Sequence, residues 1–299
     1  MISVIICSVN PVLLNQLSKN IEDTIGTQYE IVAIDNRGTG KGICQVYNEG
    51  AAKAKYDLLC FIHEDIIIET PNWGTKLAAL FKEDPALGVV GVAGAGYMPL
   101  SPSTWGGIGR DSSYINIIQH YKYKKKKEKH FYRNPDNERL SYVASLDGVW
   151  LSTTKKVTTE FKFDEATFKG FHGYDIDFSL SAGTKYKIAV TFEVLIKHFS
   201  EGRYDRKWMV ENLKVFYKWG DSLPINIAGL PPEEVFIIEK STFKHFVNQL
   251  ITYKLPLSIA FKFLWKKNRF FLMDKRLLPK LNFYILKQKL IPGKVNIDL

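Results

Sequence analysis

Over its first hundred residues the chain alternates short apolar runs with helical patterns, and nothing else in the sequence limits the fold as much. "ISVIIC" (2–7) is a β-branched run that stops at Ser8, Asn10 and Pro11. Residues 11–23 place Leu13, Leu14, Leu17 and Ile21 at helical spacing. "YEIVAIDN" (29–36) and "YDLLCFIHED" (56–65) read as further buried strands, separated by a helical stretch at 42–55. A helix at 72–84 and a glycine-rich strand at 88–96 continue the series. Apolar strands alternating with helices at this pitch call for a parallel sheet covered on both faces. Such sheets bind ligands at the carboxyl ends of their strands. Ser8, Asp35, Asn36 and the cluster His63-Glu64-Asp65 fall at those ends. Further on, 97–107 reads as a loop rich in Pro, Ser and Gly. Residues 141–157 alternate like a strand broken at Asp147-Gly148, and 188–200 form a last strand before a helical, basic remainder.

Charge is divided unevenly along the 299 residues. The formal net charge is +10, but residues 240–299 carry 13 basic groups against Asp274 and Asp298, a net of +11. The run "YKYKKKKEKHFYR" (121–133) adds +6, which leaves the rest of the chain at −7. An acidic body with two basic attachments is not the pattern of a nucleic-acid binder, whose basic groups line a continuous groove. Hydrophobic residues make up 45%, enough for a sizeable core. Three cysteines, with Cys7 and Cys60 inside apolar runs, suggest a reducing compartment rather than a disulfide framework. The start of the chain lacks a basic leader, and no window reaches 18 uncharged apolar residues. The expectation is a cytoplasmic protein.

Several strand-end groups have the chemistry of a site, each beside a plainer structural role. A carboxylate at 64–65 can hold a hard divalent cation that neutralises a diphosphate, or can end a strand as a solvated turn. Asp65 is the better ligand, with Glu64 and His63 beside it. Asp35 can accept hydrogen bonds from a ribose or base, or be a turn residue. The G-x-G-x-x-G phosphate loop of a dinucleotide site is absent from the preceding "CSVNP". In "GFHGYDIDFSL" (170–180), Asp175 or Asp177 can take a proton from an attacking hydroxyl, or cap a helix. At spacing i,i+2 the two do not share a helix face. His198, at the end of the last predicted strand, can close a metal site begun by Asp65 or be structural.

Taken together, "SVIICSVNP", "IVAIDNRG", "GICQVYNEGAAKAKYDLLCFIHEDI", "FDEATFKGFHGYDIDFSL" and "HFSEG" resemble glycosyltransferase family 2, the GT-A-type nucleotide-sugar transferases. The resemblance spans roughly residues 2–202. It implies an α/β, Rossmann-like GT-A sheet, mixed but mostly parallel, with helices on both faces and a basic helical C-terminal region. It implies that Ser8, Asp35, Asn48, Glu64 and Asp147 serve the nucleotide-sugar. Asp65, with His198, would hold a divalent Mn2+ or Mg2+ ion, and Asp175 would be the catalytic base. The sequence departs from the family's Asp-x-Asp motif at His63, and from its Glu-Asp motif at Tyr174, where Asp177 is the available second carboxylate. Trp105 and Trp150 are open to sugar stacking or to burial.

The implied reaction is an inverting sugar transfer from a nucleoside-diphosphate sugar, UDP-linked for preference, to a glycan or lipid-linked saccharide acceptor. The alternatives are an inactive nucleotide-sugar-binding scaffold and a nucleotidylyltransferase. The expected division is a catalytic domain at 1–205 and a basic, aromatic helical region at 206–299. That region would either rest on an anionic membrane surface, peripherally on its cytoplasmic face, or pack its aromatics internally or in a homodimer. The lysine run is read as an acceptor-side loop, a lipid contact or a solvated insertion.

Overall fold

β1 (Ile2–Ser8) is the axis of a seven-stranded sheet, pairing in parallel with β2 (Tyr29–Asp35) on one side and β3 (Leu58–Ile62) on the other. The computed structural model describes residues 1–105, 112–121, 127–200, 202 and 204–290. Parts of the predicted loop (106–107), the lysine run (122–126), Glu201 and the last nine residues (291–299) lie outside that set. α1 (Pro11–Thr24) and α2 (Ile43–Lys53) connect the first three strands. Pro11 starts α1, and the Asn10 side chain accepts from the backbone N–H of Val12 at 3.0 Å, capping an otherwise unpaired donor. β4 (Ile66–Ile68), α3 (Trp73–Glu83) and β5 (Leu87–Gly91) follow.

The chain then passes through β6 (Ala93–Ala95), β7 (Tyr97–Met98), β8 (Ser113–Gln119), β9 (Lys129–Arg133), β10 (Leu140–Tyr142) and β11 (Ser145–Leu146). β12 (Trp150–Thr154) next inserts between β3 and β5, antiparallel to both. α4 (Lys155–Glu160) and α5 (Tyr174–Gly183) lead to β13 (Lys187–Thr191), parallel to β5, with β10 antiparallel at the edge. The order is β10-β13-β5-β12-β3-β1-β2. The sheet is therefore mixed and not mostly parallel as expected. The strand that breaks the parallel run, β12, enters after a long excursion of strands rather than after a crossover helix.

Most of that excursion builds a second sheet, β11-β6-β8-β14-β4, with β9 on β8, where β14 is Ile196–His198. The predicted strand at 188–200 is thus two strands in two sheets. The Asn116 side chain holds the turn between them by donating to the carbonyls of Phe192 and Val194, both at 3.0 Å. β15 (Ile225–Asn226) pairs with β7. The C-terminal helices are α6 (Arg206–Trp219), α7 (Pro232–Thr252), α8 (Ser258–Trp265), α9 (Arg269–Met273) and α10 (Leu277–Leu290).

Side chains alternate across the main sheet with the two-residue period of a strand. Ile5, Leu59 and Phe61 join one apolar cluster with α2, α5 and the C-terminal helices. Ile2, Val4, Ile6, Cys60 and Ile62 join another with α1 and α3. Helices do cover both faces. Phe243, Phe246, Phe263 and Phe270 are buried in the first cluster, so much of the aromatic content beyond residue 240 packs internally.

Candidate active site

β3 ends at Ile62, and the N–H of His63 donates to the Val149 carbonyl at 3.1 Å, so the polar run 63–65 emerges where a buried strand stops. β4 then pairs antiparallel with β14, setting His198 opposite Ile66. This pairing brings the imidazole of His198 beside the carboxylate of Asp65, with Nε2 to Oδ1 at 3.6 Å. One ligand atom each from His63, Asp65 and His198 lies within 4.8 Å of the other two. Burial opposes ionisation of Asp65, but His198, His63 and the Ser200 hydroxyl, which donates at 2.7 Å, prevail and hold it well below the usual carboxylate range. Burial pushes the His63 imidazole down to about 4, against the pull of Asp65, so it is neutral at neutral pH.

The proton on His63 can be placed by counting donors. The Tyr174 hydroxyl donates its single proton to the Gly148 carbonyl at 3.0 Å. It must therefore accept from His63 Nε2, 2.8 Å away. That leaves Nδ1 with its lone pair for another partner.

Tyr174 and Asp175 open α5. Gly173, at φ +79°, turns the chain into the helix, and a Cβ there would meet Val215 Cγ2 at 3.0 Å. The Asp175 carboxylate accepts from the Gly148 N–H at 3.0 Å. Burial, followed by the negative charge of Asp147, pushes Asp175 up to about 7 despite the backbone N–H groups that favour its ionised form. Gly148 is thus bonded twice to the start of α5, through its N–H and its carbonyl. A Cβ on it would run into the Tyr174 hydroxyl.

His63, Asp65, His198, Asp147 and Asp175 all line one cavity of about 760 Å³ at the carboxyl ends of β1 and β3. Most of the other residues predicted for the site are engaged with protein partners. Glu64 is in the cavity wall, but its carboxylate accepts from the Ser8 hydroxyl at 2.8 Å and from the N–H groups of Val9 and Asn10 at 3.1 Å. Ser8 and Glu64 therefore satisfy one another and brace the turn after β1. Asp35 is exposed outside the cavity, where the Arg37 guanidinium holds its carboxyl down to about 2. Its neighbour Asn36 lines the wall instead. Asn48 clips α2 to the segment after α4, donating to the Phe163 carbonyl at 2.9 Å and accepting from its N–H at 3.1 Å. Asp177, 2% exposed, faces away and accepts from Lys218 and from Trp219 Nε1 at 2.7 Å, so it supplies no second carboxylate to the cavity. Trp105 is in the wall, whereas Trp150 is fully buried against Trp73 at 6.1 Å.

A family model described as "Glycosyltransferase like family" matches residues 3–216. The chain belongs to this glycosyltransferase-like family. It is an enzyme of that class, as the resemblance implied. No curated protein matches it in sequence. Among solved structures, S. aureus TarS 1–349 in complex with UDP superposes with a TM-score of 0.56 at 12% identity, over 100% of this chain and 94% of that one. GalNAc-T7 with UDP, GalNAc and Mn2+ gives a TM-score of 0.52 at 12% identity, over 90% of this chain. This chain spans about half, 54%, of the GalNAc-T7 chain. These likenesses are likenesses of fold.

In this glycosyltransferase two imidazoles and an ionised carboxylate converge within reach of one ion, a donor set that fits a divalent transition cation. His63 completes the set, and the sequence signal for it was its place in the Asp-x-Asp position. Apart from Trp105, sequence reasoning passed over the wall's aromatic groups. Phe171, 50% exposed, lies 5.2 Å from the His63 ring, and Tyr204 packs edge-on to Trp208 at 4.9 Å. No local pattern marks them, because Phe171 and Tyr204 stand outside regular elements and Trp208 is one residue of the first turn of α6.

Proposed function

We propose that this glycosyltransferase moves a sugar, with inversion, from a nucleoside-diphosphate sugar to the hydroxyl of a saccharide acceptor. The observation that carries the reading is the convergence of the His63-Asp65-His198 trio and Asp175 on one cavity. A divalent cation held by the trio would offset charge on the diphosphate. Asp175 accepts the proton of the acceptor hydroxyl, and a carboxyl near 7 is suited to that at neutral pH. The acceptor oxygen bonds to the anomeric carbon as the bond to the diphosphate oxygen breaks on the opposite face, and the electron pair leaves with the nucleoside diphosphate. Gly148 and Tyr174 hold base and metal ligand in register: Gly148 donates to Asp175, Tyr174 accepts from His63, and the Tyr174 hydroxyl donates to the Gly148 carbonyl. Phe171, Trp105, Tyr204 and Trp208 offer apolar faces against which sugar rings pack.

The ligands of the two fold relatives, UDP for TarS and UDP, GalNAc and Mn2+ for GalNAc-T7, support a uridine nucleotide and manganese. Cys7, Cys44 and Cys60 are all unpaired, in keeping with action in the cytoplasm. Calorimetric titration with UDP and UDP-sugars, with and without Mn2+, tests the reading. Metal-dependent binding that disappears in Asp65→Ala is expected, followed by a product of inverted anomeric configuration by NMR. Absence of binding to every nucleotide of a uridine, guanosine and thymidine panel would overturn it.

A further inference from the structure

α10 carries two apolar stripes on opposite sides. At about 3.6 residues per turn, Leu277, Leu281 and Ile285 fall on one side, and all are fully buried against the C-terminal helices. Phe283, Leu286 and Leu290 fall on the other, and they are 68%, 49% and 79% exposed. A helix that needs only to pack on its own domain has no use for the second stripe. Trp265 extends it: the residue is 52% exposed, and its Nε1 donates to Asn282 of α10 at 3.2 Å.

The flank of this stripe is strongly basic. Lys280 and Lys287 stand three residues before and four after Phe283, so they border it on the helix surface. Lys240 and Lys280 both reach over the Phe236 ring, at 5.3 and 5.6 Å, and Lys244 lies 5.1 Å from the Tyr284 ring. Burial lowers the Lys244 ammonium, and repulsion from Lys240, Lys280 and Lys287 lowers it further, so the four form one like-charge group. None of them makes an ion pair among the described residues. Asp274, whose charge acts on Lys280, is already bonded to Arg276, so positive charge is in excess beside the exposed apolar stripe. That combination matches the interface of an anionic bilayer, where aliphatic groups enter the acyl boundary and lysines meet headgroups. No helix among the described residues is long and apolar enough to cross a membrane.

We propose that the outward face of α10, with Trp265 beside it, docks on an anionic lipid bilayer and lies in its plane. This contact is independent of the sugar-transfer reading, since none of its residues lines the cavity.

The test is co-sedimentation of the full chain with vesicles of phosphatidylcholine alone or mixed with phosphatidylglycerol. Binding to the mixed vesicles at low salt, release at high salt and weak binding to the neutral ones are expected. Lys280→Glu with Lys287→Glu should cut partitioning to mixed vesicles by about tenfold or more, from roughly 1 kcal/mol per basic residue at such a surface. Phe283→Asp with Leu290→Asp should lower it at both salt concentrations. Both positions are exposed, so unchanged circular dichroism and melting temperature confirm folding. Failure of the wild-type chain to sediment with mixed vesicles overturns the proposal. So does undiminished binding in both double variants. A dimer in light scattering that Phe283→Asp separates, with no vesicle binding, assigns the face to a second copy of the chain and also overturns it.

Discussion

Gly148→Ala is the substitution whose cost the structure defines best. A Cβ built there meets the Tyr174 hydroxyl at a distance real atoms do not adopt, the ring's Cζ at 2.5 Å and Asp175 Cβ at 3.0 Å. Carbon atoms in contact prefer about 3.5–4.0 Å, so the ring must retreat by roughly 1 Å. It has little room, being 3% exposed and packed against Tyr47 at 5.8 Å and Phe163 at 6.3 Å. Overpacking of this kind costs about 1–3 kcal/mol. Displacing the hydroxyl also weakens its bonds to Gly148 and His63, each contributing about 1 kcal/mol. The expected loss is therefore about 2–5 kcal/mol of unfolding free energy, measured by urea denaturation. Tyr174→Phe removes the first atom struck, so Gly148→Ala should cost less in that background, with a coupling of about 1 kcal/mol. Gly170→Ala, where nothing lies within 4 Å, is the control and should stay within about 0.5 kcal/mol of wild type. If Gly148→Ala matches that control, or adds to Tyr174→Phe without coupling, the account of a locked Gly148–Tyr174–His63 unit is wrong.

Asp175→Asn should lower kcat by roughly 10²–10⁴ while nucleotide affinity is kept; a loss below tenfold removes Asp175 as the base. Because the base must be ionised and its carboxyl sits at about 7, kcat/KM of the wild type should rise with pH up to about 7 and level off above it, in a pH–rate profile. Glu239, buried in α7 with one oxygen held by the Tyr97 hydroxyl and the Leu100 N–H, is pushed by burial up to about 7. The folded chain thus keeps this proton between about pH 4.5 and 7 while the unfolded chain releases it, so wild-type stability falls across that window. Glu239→Gln should lose this contribution, a slope of up to about 1.4 kcal/mol per pH unit, and parallel stability curves would count against it. Asp177→Asn weakens the buried link to Lys218 and Trp219 and should cost about 1–3 kcal/mol in urea unfolding; an unchanged midpoint would show that link to be dispensable.

The first half of the fold was legible because its signals are local. β1, β2 and β3 are mostly apolar runs, interrupted by Ser3 in β1 and by Glu30 in β2, an edge strand only partly buried, and α1 shows its apolar spacing and its Asn10-Pro11 start within a few residues. The insertion of β12 between β3 and β5 is a pairing of distant segments, and no period announces it. The same holds for the division of 188–200, which depends on an Asn116 side chain from another strand. At the site, a strand-end acid can be recognised from sequence, but its partner cannot. Asp65 and Asp175 stand in the cavity wall beside His198 and Asp147, whereas Asp35 turns to Arg37 and Asn48 to the backbone of Phe163. Tyr174 is the clearest omission, since its meaning depends on a hydrogen bond across 111 residues of chain.

The reversed direction of β12 has a consequence for how such an enzyme changes over time. The chain lines the cavity just past the ends of β1 and β3, at Val9 and at His63, while β12 is preceded there by Asp147 and Gly148. The lining thus comes from two stretches of chain, before residue 66 and after residue 92, and the second sheet joins them where β4 pairs with β14. Length changes in the loops between the strands of 92–146 alter the approach to Asp147 and leave His63 and Asp65, just past the end of β3, in place. Change at the mouth of the cavity can therefore gather in those loops, and its limit is β8, whose pairing with β14 keeps His198 beside Asp65.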